Sequence, residues 1–319
     1  MNTALSPAEP SRERLSNPLA RYALATRPAF LTITFAGCLL GFATAIAGGA
    51  AFDWPRALTT LLLALLAHAA INVLNDYCDH LNGTDARNTQ RIHPYTGGSR
   101  FIQNGVLTPR QVLLFAAALF AATIAGGLWL WSKSGEGLFW IGLAGLVIGW
   151  AYSAPPLQLN SRGVGELCVA CGFLLVVVGA DYVQRTGGSP LPWLAGMPYA
   201  LLVAGILYIN QFPDREADLA SGKLHWVARL QPAVAARGYG LILLLAALAL
   251  LTGIAVGTLP LAAVLALLAW VPGVAAWRQL LRHAAAPARL APAIRLTLLA
   301  AHLLPLVLAA VLLLSANPA

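Results

Sequence analysis

The sequence predicts an all-α, polytopic membrane protein, and three observations carry that prediction. Hydrophobic residues make up 59% of the 319 positions and charged residues 10%, far from the ~25% charged content of ordinary soluble domains. The apolar residues gather into nine runs, most near the roughly 20 residues that a helix needs to cross a bilayer. The basic residues are segregated, with seventeen of the twenty Lys and Arg in alternate connections.

Residues 1–19, rich in Ser, Pro, Arg and Glu, read as a flexible tail. Residues 20–319 read as one transmembrane domain. The segment ahead of the first run is too polar, and that run too long, for a cleavable signal peptide. The runs cover 30–51, 55–74, 109–131, 138–152, 165–183, 191–209, 239–256, 259–277 and 296–315, with interiors free of charge. The fourth is short and would need to tilt or to extend into its loop.

Arg12, Arg14, Arg21 and Arg27 precede the first run, and Arg87, Arg91, Arg100 and Arg110 follow the second. Arg162 follows the fourth, Arg215, Lys223, Arg229 and Arg237 the sixth, and Arg278, Arg282, Arg289 and Arg295 the eighth. Only Arg56, Lys133 and Arg185 fall on the other side. The positive-inside rule then places the N-terminus and the charged loops in the cytoplasm, and the chain in the inner (cell) membrane of a bacterium. The net charge of +8 is this topology signal plus attraction to anionic lipid and substrate. It calls for no nucleic-acid partner, and nothing in the sequence calls for a protein partner. Cys168-x-x-Cys171 lies inside a run and reads as packing thiols rather than a redox or zinc pair.

Two polar clusters interrupt this pattern. The second run ends in Asn72-Val-Leu-Asn75-Asp76-Tyr77-Cys-Asp79 and continues to Asp85; the sixth ends in Asn210-Gln-Phe-Pro-Asp214-Arg-Glu216-Ala-Asp218. At helical spacing Asp76 and Asp79 share one face, as do Asn210, Asp214 and Asp218. Asp76, Asp79, Asp85, Asp214, Glu216 and Asp218 are half of the twelve acidic residues. A solvated rim balanced by nearby arginines is the bland reading. The chemical reading is a cation between two acidic faces, because carboxylates at the edge of an oily protein are costly without one. Mg²⁺ fits, since it takes oxygen ligands and is held by one or two carboxylates together with substrate phosphates.

The connections support the chemical reading. Residues 82–108 form a long polar loop with Asp85, Arg87, Arg91, Arg100 and Gly97-Gly98, expected to be an ordered cytoplasmic cap over the site. Tyr152-Ser-Ala-Pro155-Pro156 ends the fourth run sharply. Arg162 and Glu166 then read equally as a mutual ion pair or as site residues, and Arg27-Pro28 as a topology anchor or a substrate contact. Gly222 caps the sixth run ahead of Lys223. Ionising a C–O bond to a diphosphate loads charge onto the leaving group, which metal ions and Lys or Arg stabilise. The allylic cation left behind needs a dry apolar or aromatic pocket, and packed membrane helices supply one.

Asn75-Asp76-x-x-Asp79 with Gly83-x-Asp85, and later Asp214-x-x-x-Asp218-x-x-x-Gly222-Lys223, resemble the two signatures of the UbiA superfamily of intramembrane prenyltransferases. The resemblance covers essentially the whole chain. It implies helices around a central cavity, Mg²⁺ dependence, and transfer of a polyprenyl group from its diphosphate to an aromatic acceptor in the membrane. Asn75-Asp-Tyr-x-Asp79, Arg27-Pro28 and Arg162-Gly-x-Gly-Glu166 are similar to the 1,4-dihydroxy-2-naphthoate branch of menaquinone biosynthesis. Gly83 stands where the 4-hydroxybenzoate branch carries Asp, and the stretch from Tyr152 to Leu157 resembles chlorophyll synthases. The alternative acceptors are thus 4-hydroxybenzoate, homogentisate or a tetrapyrrole. The implied roles are metal binding by Asp76, Asp79, Asp214 and Asp218, with Asn75 and Asn210 adding oxygen ligands. Lys223, Arg91 and Arg100 would contact diphosphate, and Arg27, Asp85, Tyr152 and Arg162 would contact substrate elsewhere. A cation-coupled transporter is the alternative of another class, but its charges belong near the bilayer midplane, and here they sit at helix ends.

Overall fold

The computed structural model describes residues 9–316, and every regular element among them is helical. The order is α1 (Pro18–Ala25), α2 (Pro28–Ala47), α3 (Trp54–Leu81), α4 (Thr84–Arg87), α5 (Pro109–Ser134), α6 (Gly137–Ser153), α7 (Gly165–Arg185) and α8 (Leu191–Ala220). Then follow α9 (Trp226–Arg229), α10 (Pro232–Ala255), α11 (Trp270–His283) and α12 (Ala291–Ser315). A 3₁₀ stretch over Leu261–Ala269 leads into α11.

Local chemistry sets the helix starts. Pro stands in the first turn of α1, α2, α3, α5, α8, α10 and α12, where a missing N–H costs nothing. Asn17 caps Leu19 N and Asp53 caps Arg56 N. Thr108 and Gln111 form a reciprocal capping box at α5, satisfying donors that would otherwise be orphaned.

Eight helices among the described residues have the length and apolarity to cross a membrane. The fourth of the nine expected runs falls on α6, an apolar helix of 17 residues that is shorter than those eight. At about 1.5 Å per residue, the 28 residues of α3 and the 30 of α8 outrun a hydrocarbon core of about 30 Å. Their last turns, which carry the acidic motifs, can therefore project beyond the apolar slab. One charge does lie inside a span, against expectation. Asp181 of α7 is 1% exposed, and it is tolerated because Arg185, one turn on, bonds both of its oxygens at 3.1 Å.

The helices pack as a bundle, α3 on α5, α7 on α2 and α8, and α8 on α10 and α12. Close approach at small residues drives association where lipid supplies no hydrophobic force, as where Gly41 of α2 lies against the Val177 carbonyl of α7. Buried hydroxyls are satisfied between helices: Tyr199 OH donates to Ile33 O and Tyr208 OH to Ala235 O, both at 2.7 Å. The outer faces carry Leu58, Leu114, Trp140, Leu261 and Leu314, all more than half exposed, a surface suited to lipid.

The tail expected over residues 1–19 divides. Residues 1–8 lie outside the described residues. From Glu9 the chain lies along the loop that follows α4, with Arg12 Nε donating to Gly105 O at 2.6 Å, and α1 begins at Pro18.

Candidate active site

The last turns of α3 and α8 bring the two acidic motifs to one end of the bundle, and three devices join them there. The first is a lysine. Gly222, with φ of +79°, turns the chain back at the end of α8 as only glycine does without strain. Lys223 N then donates to Asp218 O at 2.8 Å. The side chain returns to the cluster with Nζ 2.6 Å from Asp79 Oδ1 and 3.6 Å from Asp218 Oδ1. Burial opposes its charge, but Asp79 and Asp218 outweigh that and raise its pKa.

The second device is the loop between α4 and α5, which lies over the acidic end. Asn88 Nδ2 donates to Asp214 Oδ1 at 2.6 Å and Gly97 N to Asp214 Oδ2 at 3.3 Å. Ser99 N donates to Asp76 Oδ1 at 3.2 Å. Gly98, at φ of +71°, passes so close to the Asp85 carboxylate that a Cβ has no room. The third device is His225. Its Nδ1 accepts from Ala228 N, which leaves Nε2 to donate to Asp218 Oδ2 at 2.9 Å.

Asp85 completes the cluster. Gly83, at φ of +78°, ends α3 and starts α4, which turns Asp85 inward to 2% exposure. Burial first, then the charges of Asp79 and Asp76, push its carboxyl well above the usual range. Five carboxylates thus face one ammonium. In addition, Asn88 Oδ1 and Asn210 Oδ1 are buried with no hydrogen-bond partner among the described residues. Orphaned buried acceptors of this kind ask for a donor or a cation.

Below this polar end opens a cavity of about 640 Å³. Its wall is apolar, with Ile71, Ile124, Leu128, Trp131, Ile141, Leu146, Phe173 and Val203 among the lining residues. Among the polar groups in its wall is His68, whose Nδ1 lies 2.7 Å from Thr34 Oγ1 and whose ring stands edge-on to Phe173.

Asn75, Asp79, Asp85, Tyr152, Asn210, Asp214, Asp218, Lys223 and Arg27 line the cavity. Asp76 is 4% exposed beside them. Arg27 adopts φ of 59° and donates to Tyr95 O at 3.0 Å, as does Asn210 Nδ2 at 3.4 Å. Three expected residues stand elsewhere. Arg91 and Arg100 are drawn to the outer side of the loop by Glu9, with Arg91 Nη2 2.7 Å from Glu9 Oε1 and Arg100 bonding Asp85 O. Arg162 is exposed and donates to Pro156 O at 2.8 Å, so it does not pair with Glu166. Glu166 instead accepts from Gln211 Nε2 at 2.8 Å.

Sequence reasoning missed Asn88, His225, Asn160, Gln211 and His68 as lining or bracing residues. His225 could have been found, since it follows Lys223 by two positions in a short connection. The others carry no local signal, because they join the site through partners far off in the chain.

Residues 31–300 match the UbiA prenyltransferase family. The 1,4-dihydroxy-2-naphthoate octaprenyltransferase of Bacillus subtilis is 29% identical over 202 residues, covering 62% of this chain and 62% of the relative. The alignment thus spans about three fifths of that relative's length. Among solved structures, one described as digeranylgeranylglyceryl phosphate synthase in membranes aligns with a TM-score of 0.64 at 14% identity, covering 92% of this chain and 98% of the other. A UbiA homolog from Archaeoglobus fulgidus bound to DMAPP and Mg²⁺ aligns with a TM-score of 0.55 at 19% identity, covering 73% and 78%. At those identities the structural likeness is one of fold.

Proposed function

This chain belongs to the UbiA prenyltransferase family, and on that premise we propose that it transfers a polyprenyl group from a polyprenyl diphosphate to 1,4-dihydroxy-2-naphthoate, using Mg²⁺. One observation carries the reading: Asp79, Asp85, Asp214, Asp218 and Lys223 line the polar end of an otherwise apolar cavity, with Asp76 buried beside them. The acceptor rests on the Asn75-Asp76-Tyr77-x-Asp79 pattern and on the Bacillus relative's name.

The residues fit the ion. The donors are oxygens, which suits a hard cation, and the orphaned Asn88 and Asn210 oxygens lie among them. Among the described residues no three carboxylate, His or Cys side chains stand close enough to hold an ion unaided. Asp76, Asp79, Asp214 and Asp218 would therefore share ions with phosphate oxygens, as Mg²⁺ sites usually do. When bound, Mg²⁺ neutralises charge on the departing diphosphate.

The remaining roles belong to the chain itself. Lys223 supplies an ammonium to the leaving group as the allylic C–O bond passes its electron pair to diphosphate. The loop amides of Gly97 and Ser99, with Asn88, hold Asp214 and Asp76 in place. The apolar wall, which includes Trp131, Phe173 and Tyr152, takes the isoprenoid tail and excludes water from the cation. By the positive-inside rule, this end of the bundle faces the cytoplasm of a bacterial inner membrane. The decisive experiment incubates detergent-purified protein with a radiolabelled prenyl diphosphate, Mg²⁺ and, separately, dihydroxynaphthoate, 4-hydroxybenzoate, homogentisate and a tetrapyrrole. Prenylated naphthoate product is expected. Transfer to another acceptor alone would overturn the naphthoate assignment, and no transfer at all would overturn the reaction.

A further inference from the structure

The loop that orders the carboxylates is itself held from outside, by a residue of the N-terminal segment. Glu9 Oε1 takes two bonds from the Arg91 fork, from Nε and Nη2, both at 2.7 Å. Glu9 Oε2 accepts from Asn104 Nδ2 at 3.1 Å and lies 3.9 Å from Arg100 Nε. The same Asn104 amide donates to Pro10 O at 3.0 Å, and Arg12 binds Gly105 O. One short stretch of chain therefore grips the loop near both of its ends.

Each gripped arginine reaches inward. Arg91 Nη1 donates to Asn88 O at 2.6 Å, and the Asn88 amide holds Asp214. Arg100 Nη1 donates to the Asp85 carbonyl, and the residue before it, Ser99, donates its N–H to Asp76. The Glu9 carboxylate is thus linked to Asp214 by three successive hydrogen bonds, through Arg91 and Asn88, and to the neighbourhood of Asp85 and Asp76 through Arg100. Its side chain is 28% exposed and that of Arg91 24%. Partly exposed pairs of this sort add little to the stability of a whole bundle, so their effect falls on where the loop sits.

We propose that Glu9 is a positioning residue that clamps the loop between α4 and α5 through Arg91 and Arg100, and so aligns Asp214, Asp85 and Asp76 for prenyl diphosphate. This rests on the prenyl diphosphate reading given above. Displacing site groups by as little as 1 Å can cost up to about 100-fold in rate. A clamp one layer out should cost less, and it should fall on one substrate.

The test uses the full-length chain in detergent with each substrate varied in turn. Glu9→Ala should raise KM for prenyl diphosphate about five- to tenfold, leave the acceptor KM within about twofold, and speed trypsin cleavage after Arg91 and Arg100. Glu9→Asp should restore part of the loss. Arg91→Ala should cost about as much as Glu9→Ala, and the double variant no more than either, because the two act as one unit. Unchanged kinetics in Glu9→Ala, additive losses in the double variant, or equal rises in both KM values would overturn the proposal. Absence of any prenyl transfer by the wild-type protein would instead overturn the underlying reading. The trypsin comparison still decides whether Glu9 holds the loop.

Discussion

Two ends of the same bundle bury acid in opposite ways. At the far end, Asp181 of α7 is matched one to one by Arg185, whose Nη1 also donates to Gly48 O and whose Nη2 also donates to Thr44 O, both at 3.0 Å. Asp53 and Gln184 beside it are likewise bonded to each other. The buried acid there has its partner. At the near end Lys223 pairs with Asp79 and Asp218, while Asp76, Asp85 and Asp214 have no such ion pair among the described residues, and the amide oxygens of Asn88, Asn210 and Gln211 lack hydrogen-bond partners there. A balanced buried charge is a structural rivet. An excess of buried acid with spare oxygens suits a cation, which is the role proposed for this end.

The contrast can be broken most severely by removing the cation. Excess chelator should abolish prenyl transfer and added Mg²⁺ restore it, whereas the far end should be indifferent. Mg²⁺ should also raise the melting temperature by binding the folded state alone. Turnover persisting in chelator would mean that the near end is only a rim.

Paired substitutions come next. Asp214→Ala should cut kcat at least about 100-fold while leaving or raising the melting temperature, since it relieves repulsion among acids. Asp181→Ala should do the reverse, destabilising the fold by about 3 kcal/mol through the uncompensated Arg185 and leaving kcat of the folded fraction close to wild type. Matching thermal and kinetic profiles for the two variants would erase the distinction.

Lys223→Ala sharpens the comparison at the near end. Loss of a charged hydrogen bond worth ~2 kcal/mol predicts a fall of about 30-fold in kcat/KM for prenyl diphosphate, with acceptor KM spared. Metal-free protein should also melt lower, because the only ammonium in the cluster is gone. The raised pKa of Lys223 gives the sign of its pH dependence. Its stabilisation is complete below the unfolded lysine value of about 10.4 and is lost only as pH climbs through the higher folded value. The melting penalty of Lys223→Ala should therefore be flat between about pH 6 and about pH 9. A penalty that titrates in that window would show another group at work.

The smallest effects separate loop from surface. Asn88→Ala should cost about tenfold in kcat/KM, the ~1.5 kcal/mol at the low end for a hydrogen bond to a carboxylate. Arg162→Ala, which removes an exposed guanidinium bonded to Pro156 O, should change kinetics by less than about twofold. An Arg162→Ala defect as large as that of Asn88→Ala would return Arg162 to the site.

What could be read from the sequence alone was whatever depends on neighbours a few residues apart. Composition and run length determined the membrane helices, and the i, i+3 and i, i+4 spacings determined that Asp76 with Asp79, and Asp214 with Asp218, share faces at helix ends. Gly222 marked the cap that precedes Lys223. Tertiary structure alone decided which charges meet. Asn88 and Asp214 are 126 residues apart in the chain, and Glu9 and Arg91 are 82 apart. No periodicity carries such pairings, so Arg91 and Arg100, basic and near the acids, read as diphosphate contacts. The physical reason they are not in the cavity is competition: a guanidinium goes to the nearest carboxylate or carbonyl that matches its fork, and Glu9 and the Asp85 carbonyl, delivered by the fold, stand closer than the cavity does.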